Sequence, residues 1–447
     1  MLDKIVDLTV PMYEGMPTDD LGPKFWVQLS HERSQQFQQN TQSRERRFFL
    51  TTDHVGTHID GPLRFDPKGI SIEKLPLESV IRPAQLIDLR SIGRSGAIGP
   101  AELMKTGANW QPGDAAVLWT DHDLRLKSPT YFWHRPQLTM EGALWLAERR
   151  PGIVATDFPG FGRPFDDRYE VKRALHREGI LTVEQLCNLG ELAGKRWHLC
   201  AAPLRIRGTA GSLLRAVGLV DFKPRELVDV TLDIFPGMGT FPPVPVVWMR
   251  AKHDLTSFFY KGELSYQTAS MLLAEHAGSH IDAPFHFDPQ GLTIDQLPLS
   301  RLWARARVFD MTYKKPLEGI GPRDFVEVSR NNDITLGSGD AAVVWTGHSE
   351  NYERPDYTSN RPFITTEGTE WLRARHPSLV VTDLVGLDEP SDLTEPAHNG
   401  LLRAGIPQVQ VLTNLGRLAK REAWIAAFPL KLVGGTGSPL RAFAALA

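Results

Sequence analysis

Two cysteines, Cys187 and Cys200, are all that this 447-residue chain contains, and neither has a neighbour at metal-ligand spacing. That excludes a disulfide framework and a cysteine-based zinc site, and leaves buried free thiols of a reducing compartment. Charge of one sign is not in surplus either. Fifty Lys and Arg are intermixed with 53 Asp and Glu, for a net charge of −3. Such a balance offers no footprint for nucleic acid or for an anionic membrane. Long uncharged apolar runs are missing, so no transmembrane helix is expected. The opening "MLDKIVDLTVPMYEG" has neither the basic start nor the apolar centre of a signal peptide. Together these absences predict a cytoplasmic globular protein.

What the chain does have is itself, twice. "IVDLTV" (Ile5–Val10) answers to "LVDVTL" (Leu227–Leu232), 222 positions later. His54–Leu77 aligns with His276–Leu299 at the same offset, with 14 of 24 positions identical. Farther on the offset becomes 226, as "GDAAVLWTDH" (Gly113–His122) matches "GDAAVVWTGH" (Gly339–His348). "TAGSLLRA" and "TGSPLRA" close the two copies. The repeat is a whole domain rather than a short stacking unit. The boundary falls near "GLVDFKPREL", which predicts domains 1–222 and 223–447.

Within each copy, "AQLIDL", "AAVLWT" and "IVATDF", with "ARVFDM", "AAVVWT" and "LVVTDL", are short apolar runs that read as buried strands. "TMEGALWLAERR" and "TTEGTEWLRARH" read as helices opening on a threonine N-cap. Strands alternating with helices predict an α/β (α+β) fold.

The chemistry concentrates in "HAGSHIDAPFHF". His276, His280, Asp282 and His286 sit at even spacing. On a helix they would scatter around the axis, whereas on an extended or gently irregular segment they share one face. Gly278 and Pro284 also oppose a helix. Three imidazoles and a carboxylate aimed at one point are typical ligands for zinc, or for manganese and iron. The earlier copy, "HVGTHIDGPLRF", keeps His54, His58 and Asp60 but has Arg64 in place of the last histidine. Trp248, Phe258, Phe259 and Tyr260 are candidates for an aromatic pocket wall. The Gly-rich "LVGGTGSPLRA" lacks a P-loop ending and reads as a turn.

The stretch H-x-G-[TS]-H-x-D-x-P-x-H resembles the signature of the metal-dependent cyclase family, which includes bacterial kynurenine formamidases and isatin hydrolases. The "WTGH" strand end, "HNGLLRAGI" (His398–Ile406), "NLGRL" and "GTGSPLRA" resemble that family too. The resemblance implies two tandem swivelling β/β/α domains, forming a pseudo-dimer within one chain, alone or in a further homodimer. It implies hydrolysis of a small amide, cyclic amide or formamide by water activated on one divalent ion, zinc or manganese. His276, His280 and Asp282 would be the ligands and His286 the acid/base group. His398 would also belong to the catalytic set, with Gln410 where two-metal members carry a glutamate. The second half is thus expected to hold one metal, with His398 and Gln410 orienting water or substrate. His348 is a further candidate for the substrate pocket. In the first half His54, His58, Asp60 and Glu184 remain, but Arg64 and Lys172 replace two histidines, and His176 is out of register. Two permanent cations there would repel a metal and neutralise Asp60 and Glu184, so this half is expected to be inactive. A lactone hydrolase, a metal-dependent dehydratase or isomerase, and a non-catalytic binding protein are the alternative readings.

Overall fold

The computed structural model describes residues 2–37, 42–164, 166, 168–240 and 244–447. Two compact units emerge, and each takes one segment from the other repeat. The first comprises Met1–Lys24, Leu50–Lys223 and Val247–Met271; the second comprises Phe25–Phe49, Pro224–Val246 and Leu272–Ala447. Both are mixed α/β, and they repeat one architecture. No helix among the described residues is long and apolar enough to cross a membrane.

In the first unit a nine-stranded sheet runs Lys4–Asp7, Val217–Val220, Trp197–Cys200, Ile81–Asp88, Ala115–Trp119, Ile153–Thr156, Leu181–Glu184, His58–Asp60, Gly211–Leu213. Its four central strands, from Ile81–Asp88 to Leu181–Glu184, are parallel. Ala115–Trp119 and Ile153–Thr156 are buried throughout, which is why they read as unbroken apolar runs rather than as alternation. Helices Met140–Glu148 and Glu170–Arg177 cover them, with Leu146 and Leu175 packed against Leu118, Val154 and Phe158. The second unit repeats this order from Glu226–Asp229 to Gly437–Pro439. Its helix Thr366–Arg373 starts where Thr365 accepts a hydrogen bond from Gly368 N, as Thr139 does from Gly142 N in the first unit. Each threonine satisfies one of the orphan donors of the first helical turn. Cys187 and Cys200 form no disulfide.

Two features position the chemistry. Strand His280–Asp282 pairs antiparallel with Gln408–Gln410, so that Gln410 lies opposite His280. His58–Asp60 pairs in the same way with Leu181–Glu184, setting Glu184 opposite His58. The second feature is the anchoring of the exchanged segments. His31, in the segment within the second unit, bridges Ser43 Oγ (2.6 Å) and the Phe285 carbonyl (2.8 Å). His253 does the same in the first unit, to Ser265 Oγ (2.9 Å) and the Leu63 carbonyl (2.7 Å). Each histidine thereby ties its segment to the turn that ends in His286 or Arg64.

Candidate metal centre and its altered twin

The second unit's cluster is not one continuous strand. Only His280–Asp282 is extended, and Pro284–His286 is a 3-10 turn opened by the proline. Gly278 takes φ +62°, a conformation that glycine adopts without strain, and bends the chain so that His276 turns back onto Asp282. Gly437 lets His276 approach: a Cβ there would lie 2.6 Å from His276 Cε1.

Asp282 Oδ1 is the point of convergence. His276 Nδ1 lies 2.6 Å from it and His280 Nε2 3.3 Å. Hydrogen-bond partners assign the tautomers. His280 Nδ1 donates to the Gly278 carbonyl (2.8 Å), which leaves Nε2 with a lone pair. Thr436 donates through Oγ1 to Glu275 (2.6 Å), so it accepts from His276 Nε2 (2.9 Å) and leaves the lone pair on His276 Nδ1. Two nitrogen lone pairs and a carboxylate oxygen therefore face one another without a proton between them. Two imidazoles with a carboxylate suit zinc or manganese. The residues fit a divalent ion.

His286 stands beside them, its ring 4.2 Å from that of His276. Potential ligand atoms of His276, Asp282 and His286 all lie within 4.8 Å of one another. His286 Nδ1 donates to the Glu45 carbonyl (2.5 Å), leaving Nε2 as the accepting nitrogen. Burial, then the neighbouring His276, hold its pKa well below the usual histidine range.

His398 and Gln410 complete the wall. Gln410 Oε1 accepts from Gly386 N (2.7 Å), which turns its amide nitrogen toward Asp282 Oδ2 (2.8 Å) and His398 Nε2 (2.9 Å). His398 Nδ1 donates to Asp388. Both ring nitrogens of His398 are thus engaged by the protein. The cavity here measures about 60 Å³ and also meets Arg46, Arg47 and Glu395. His348 does not line it. That residue is buried, bonds the Tyr357 carbonyl (2.8 Å) and stacks on the Tyr357 ring. Trp248, Phe258 and Phe259 are exposed, and neither they nor Tyr260 line this cavity or that of the first unit. Sequence reasoning passed over Glu275, Asp388, Arg46 and Arg47, which belong to no motif, and gave no role to Thr436 within "GTGSPLRA". Glu45 contributes through its carbonyl, which no side-chain pattern reveals.

The first unit handles the same positions differently. Lys172 Nζ sits 2.6 Å from Asp60 Oδ2 and 2.5 Å from Glu184 Oε1. Burial pulls the ammonium down, but these two carboxylates outweigh it and raise its pKa. His54 lies between Asp53 (2.6 Å) and Asp60 (2.6 Å). Burial lowers its pKa, yet the two aspartates raise it overall, which favours the imidazolium and removes a ligand lone pair. His58, Asp60 and Glu184 are close enough to hold an ion, but the Lys172 ammonium already lies against both carboxylates. Arg64 pairs with neither of them. It donates to the Gln267 carbonyl (2.8 Å) among the rings of Phe65, Tyr169 and Tyr266. His176 bonds Thr182 Oγ1 (3.1 Å).

This duplicated, histidine-bearing α/β unit defines a class. The Putative cyclase family model matches residues 6–163 and 228–389, and the chain belongs to that family. Among curated relatives, the kynurenine formamidase of Salinibacter ruber is 32% identical over 227 residues, covering 48% of this chain and 95% of that protein. The kynurenine formamidase of Geobacillus thermodenitrificans is 29% identical over 178 residues, covering 40% of this chain and 79% of the relative. Among solved structures, isatin hydrolase A from Ralstonia solanacearum superposes with a TM-score of 0.44 at 24% identity, over 50% of this chain and 92% of that one.

Proposed function

We propose that the chain is a metal-dependent hydrolase of small amides, cyclic amides or formamides, with its working site in the second unit. The observation that carries this reading is the convergence of His276 Nδ1, His280 Nε2 and Asp282 Oδ1 beside a neutral His286. The relatives named kynurenine formamidase support the amide class. When bound, one divalent ion, zinc or manganese, would be held by His276, His280 and Asp282 and would supply Lewis acidity to the substrate carbonyl and to water.

The chain's own groups do the rest. His286 is anchored at Nδ1 by the Glu45 carbonyl, so its ring cannot rotate away. Its Nε2 takes the proton from the attacking water and returns it to the leaving nitrogen. Gln410 fixes Asp282 through Oδ2 and fixes the tautomer of His398. Asp388 holds the other side of that imidazole. The first unit serves as the fused partner of the working one, a reading supported by the exchange of Phe25–Phe49 and Val247–Met271.

A screen across formamides, cyclic imides, isatin-like lactams and lactones tests the reaction class, with C–N cleavage expected. His286→Ala should lower kcat by about 10²–10⁴-fold with metal content unchanged, the usual span of a general acid/base. His280→Ala should lose metal and turnover together. Near-full activity in His286→Ala would sink the assignment of its role.

A further inference from the structure

The first unit's altered site opens on a cavity of about 670 Å³, some ten times larger than that of the second unit. Hydrolytic chemistry does not use it. Phe132, Phe161, Tyr169 and Tyr266 give it an aromatic lining, and its cations are mostly committed. Lys172 is taken by Asp60 and Glu184. Arg250 pairs with Asp20. Arg135 donates to the carbonyls of Phe132, Pro136, Gly160 and Gly162.

Arg64 is different. It is 4% exposed, has no carboxylate within ion-pairing distance among the described residues, and makes one hydrogen bond, to the Gln267 carbonyl. Its Nε is buried without any partner. A guanidinium presents five N–H donors in a planar fork. Its carbon lies 5.1–5.2 Å from the centroids of Phe65, Tyr169 and Tyr266. Ring contacts of that kind stabilise the cation and consume no N–H donor. A buried, incompletely bonded charge is costly unless something completes its shell. Carboxylate does so bidentately, and the aromatic walls suit an apolar ring behind it.

We propose that the first unit is a binding site for a small aromatic carboxylic acid, whose carboxylate is held by Arg64 and whose ring lies against Tyr169 and Tyr266. The site does not depend on hydrolysis in the second unit. The replacement of a histidine by Arg64 then converts one member of a duplicated pair from catalysis to recognition.

Calorimetric titration of the full chain with benzoate, and with neutral benzamide, tests this. One equivalent of benzoate per chain is expected, with benzamide at least about tenfold weaker, because only the carboxylate engages the guanidinium in charge-assisted bonds. Arg64→Gln should raise the benzoate Kd at least about tenfold, and Arg64→Lys should restore part of the loss, since a point charge replaces a planar fork. Arg46→Gln, in the second unit's cavity, should leave benzoate affinity unchanged. Equal affinity for benzoate and benzamide would overturn the proposal. So would a loss caused by Arg46→Gln instead, or no benzoate binding at millimolar concentration. Should Arg64→Gln not fold, the two-ligand comparison in the wild type and in Arg46→Gln decides alone.

Discussion

Two units with one backbone plan solve the same electrostatic problem in opposite ways. Each buries an aspartate, Asp60 or Asp282, on the strand that follows its histidine turn. In the first unit the compensating cation is built in, as Lys172 between Asp60 and Glu184. In the second the equivalent positions carry His398 and Gln410, which contribute hydrogen bonds and no permanent charge. Asp282 instead faces imidazole lone pairs, a donor set suited to a recruited cation. Even the altered fourth position keeps one bond. His286 Nδ1 donates to the Glu45 carbonyl, and Arg64 Nη1 donates to the Gln267 carbonyl, 222 positions on. The substitution changed what faces the cavity while conserving how the side chain is held.

The largest break in that comparison is Lys172→Met. It strips the ammonium from two buried carboxylates, and losing one partner of such a pair costs about 3–5 kcal/mol. Chemical denaturation should show a drop of that order, and added zinc or manganese should recover part of it. An unchanged unfolding midpoint would mean that Lys172 does not compensate Asp60 and Glu184.

A second test uses two aspartates that the units share. Burial pushes Asp157 up to about 7 and Asp383 up to about 6, although each accepts hydrogen bonds from the threonine of its neighbouring strand, Thr120 or Thr346. The unfolded chain releases these protons near 3.8. Between the two values the folded state binds more protons. Stability should therefore be highest below about 4 for these groups and fall as pH rises toward 7. The loss is on the order of 2–4 kcal/mol per aspartate. Asp157→Asn and Asp383→Asn should each flatten the stability profile over that window; a profile unaltered by either would contradict the buried-proton account. Smallest is the effect of the helix caps. Thr139→Ala and Thr365→Ala should each cost about 1 kcal/mol, equally in the two units, as read by denaturant midpoints.

Much of this was legible in the sequence because local chemistry and position coincide. The duplication, the buried strands and the threonine caps follow from short windows. The quartet from His276 to His286 is visible because its members lie within eleven residues. Its conformation was less so, since only Gly278 and Pro284 mark the turns that break the extended run. His31 and His253 went unread, although the repeat offset aligns them, along with Ser43 and Ser265. Arg46, Arg47 and the Glu45 carbonyl reach the second unit on an exchanged segment from the other repeat. No local pattern encodes such a long-range return of the chain. Glu275, Thr436 and Asp388 act by holding other side chains, and buried hydrogen-bonding groups carry no spacing rule. His348 closes a strand, as a site residue can, and its ring bonds and stacks on Tyr357, a contact no local pattern announces.

The account turns on one unit recruiting its cation and the other carrying its own. Metal analysis of the purified chain, reconstituted with zinc or manganese, tests this most directly. One equivalent per chain is predicted, lost in His280→Ala and retained in His58→Ala. Two equivalents, or an ion lost with His58 and kept without His280, would contradict it.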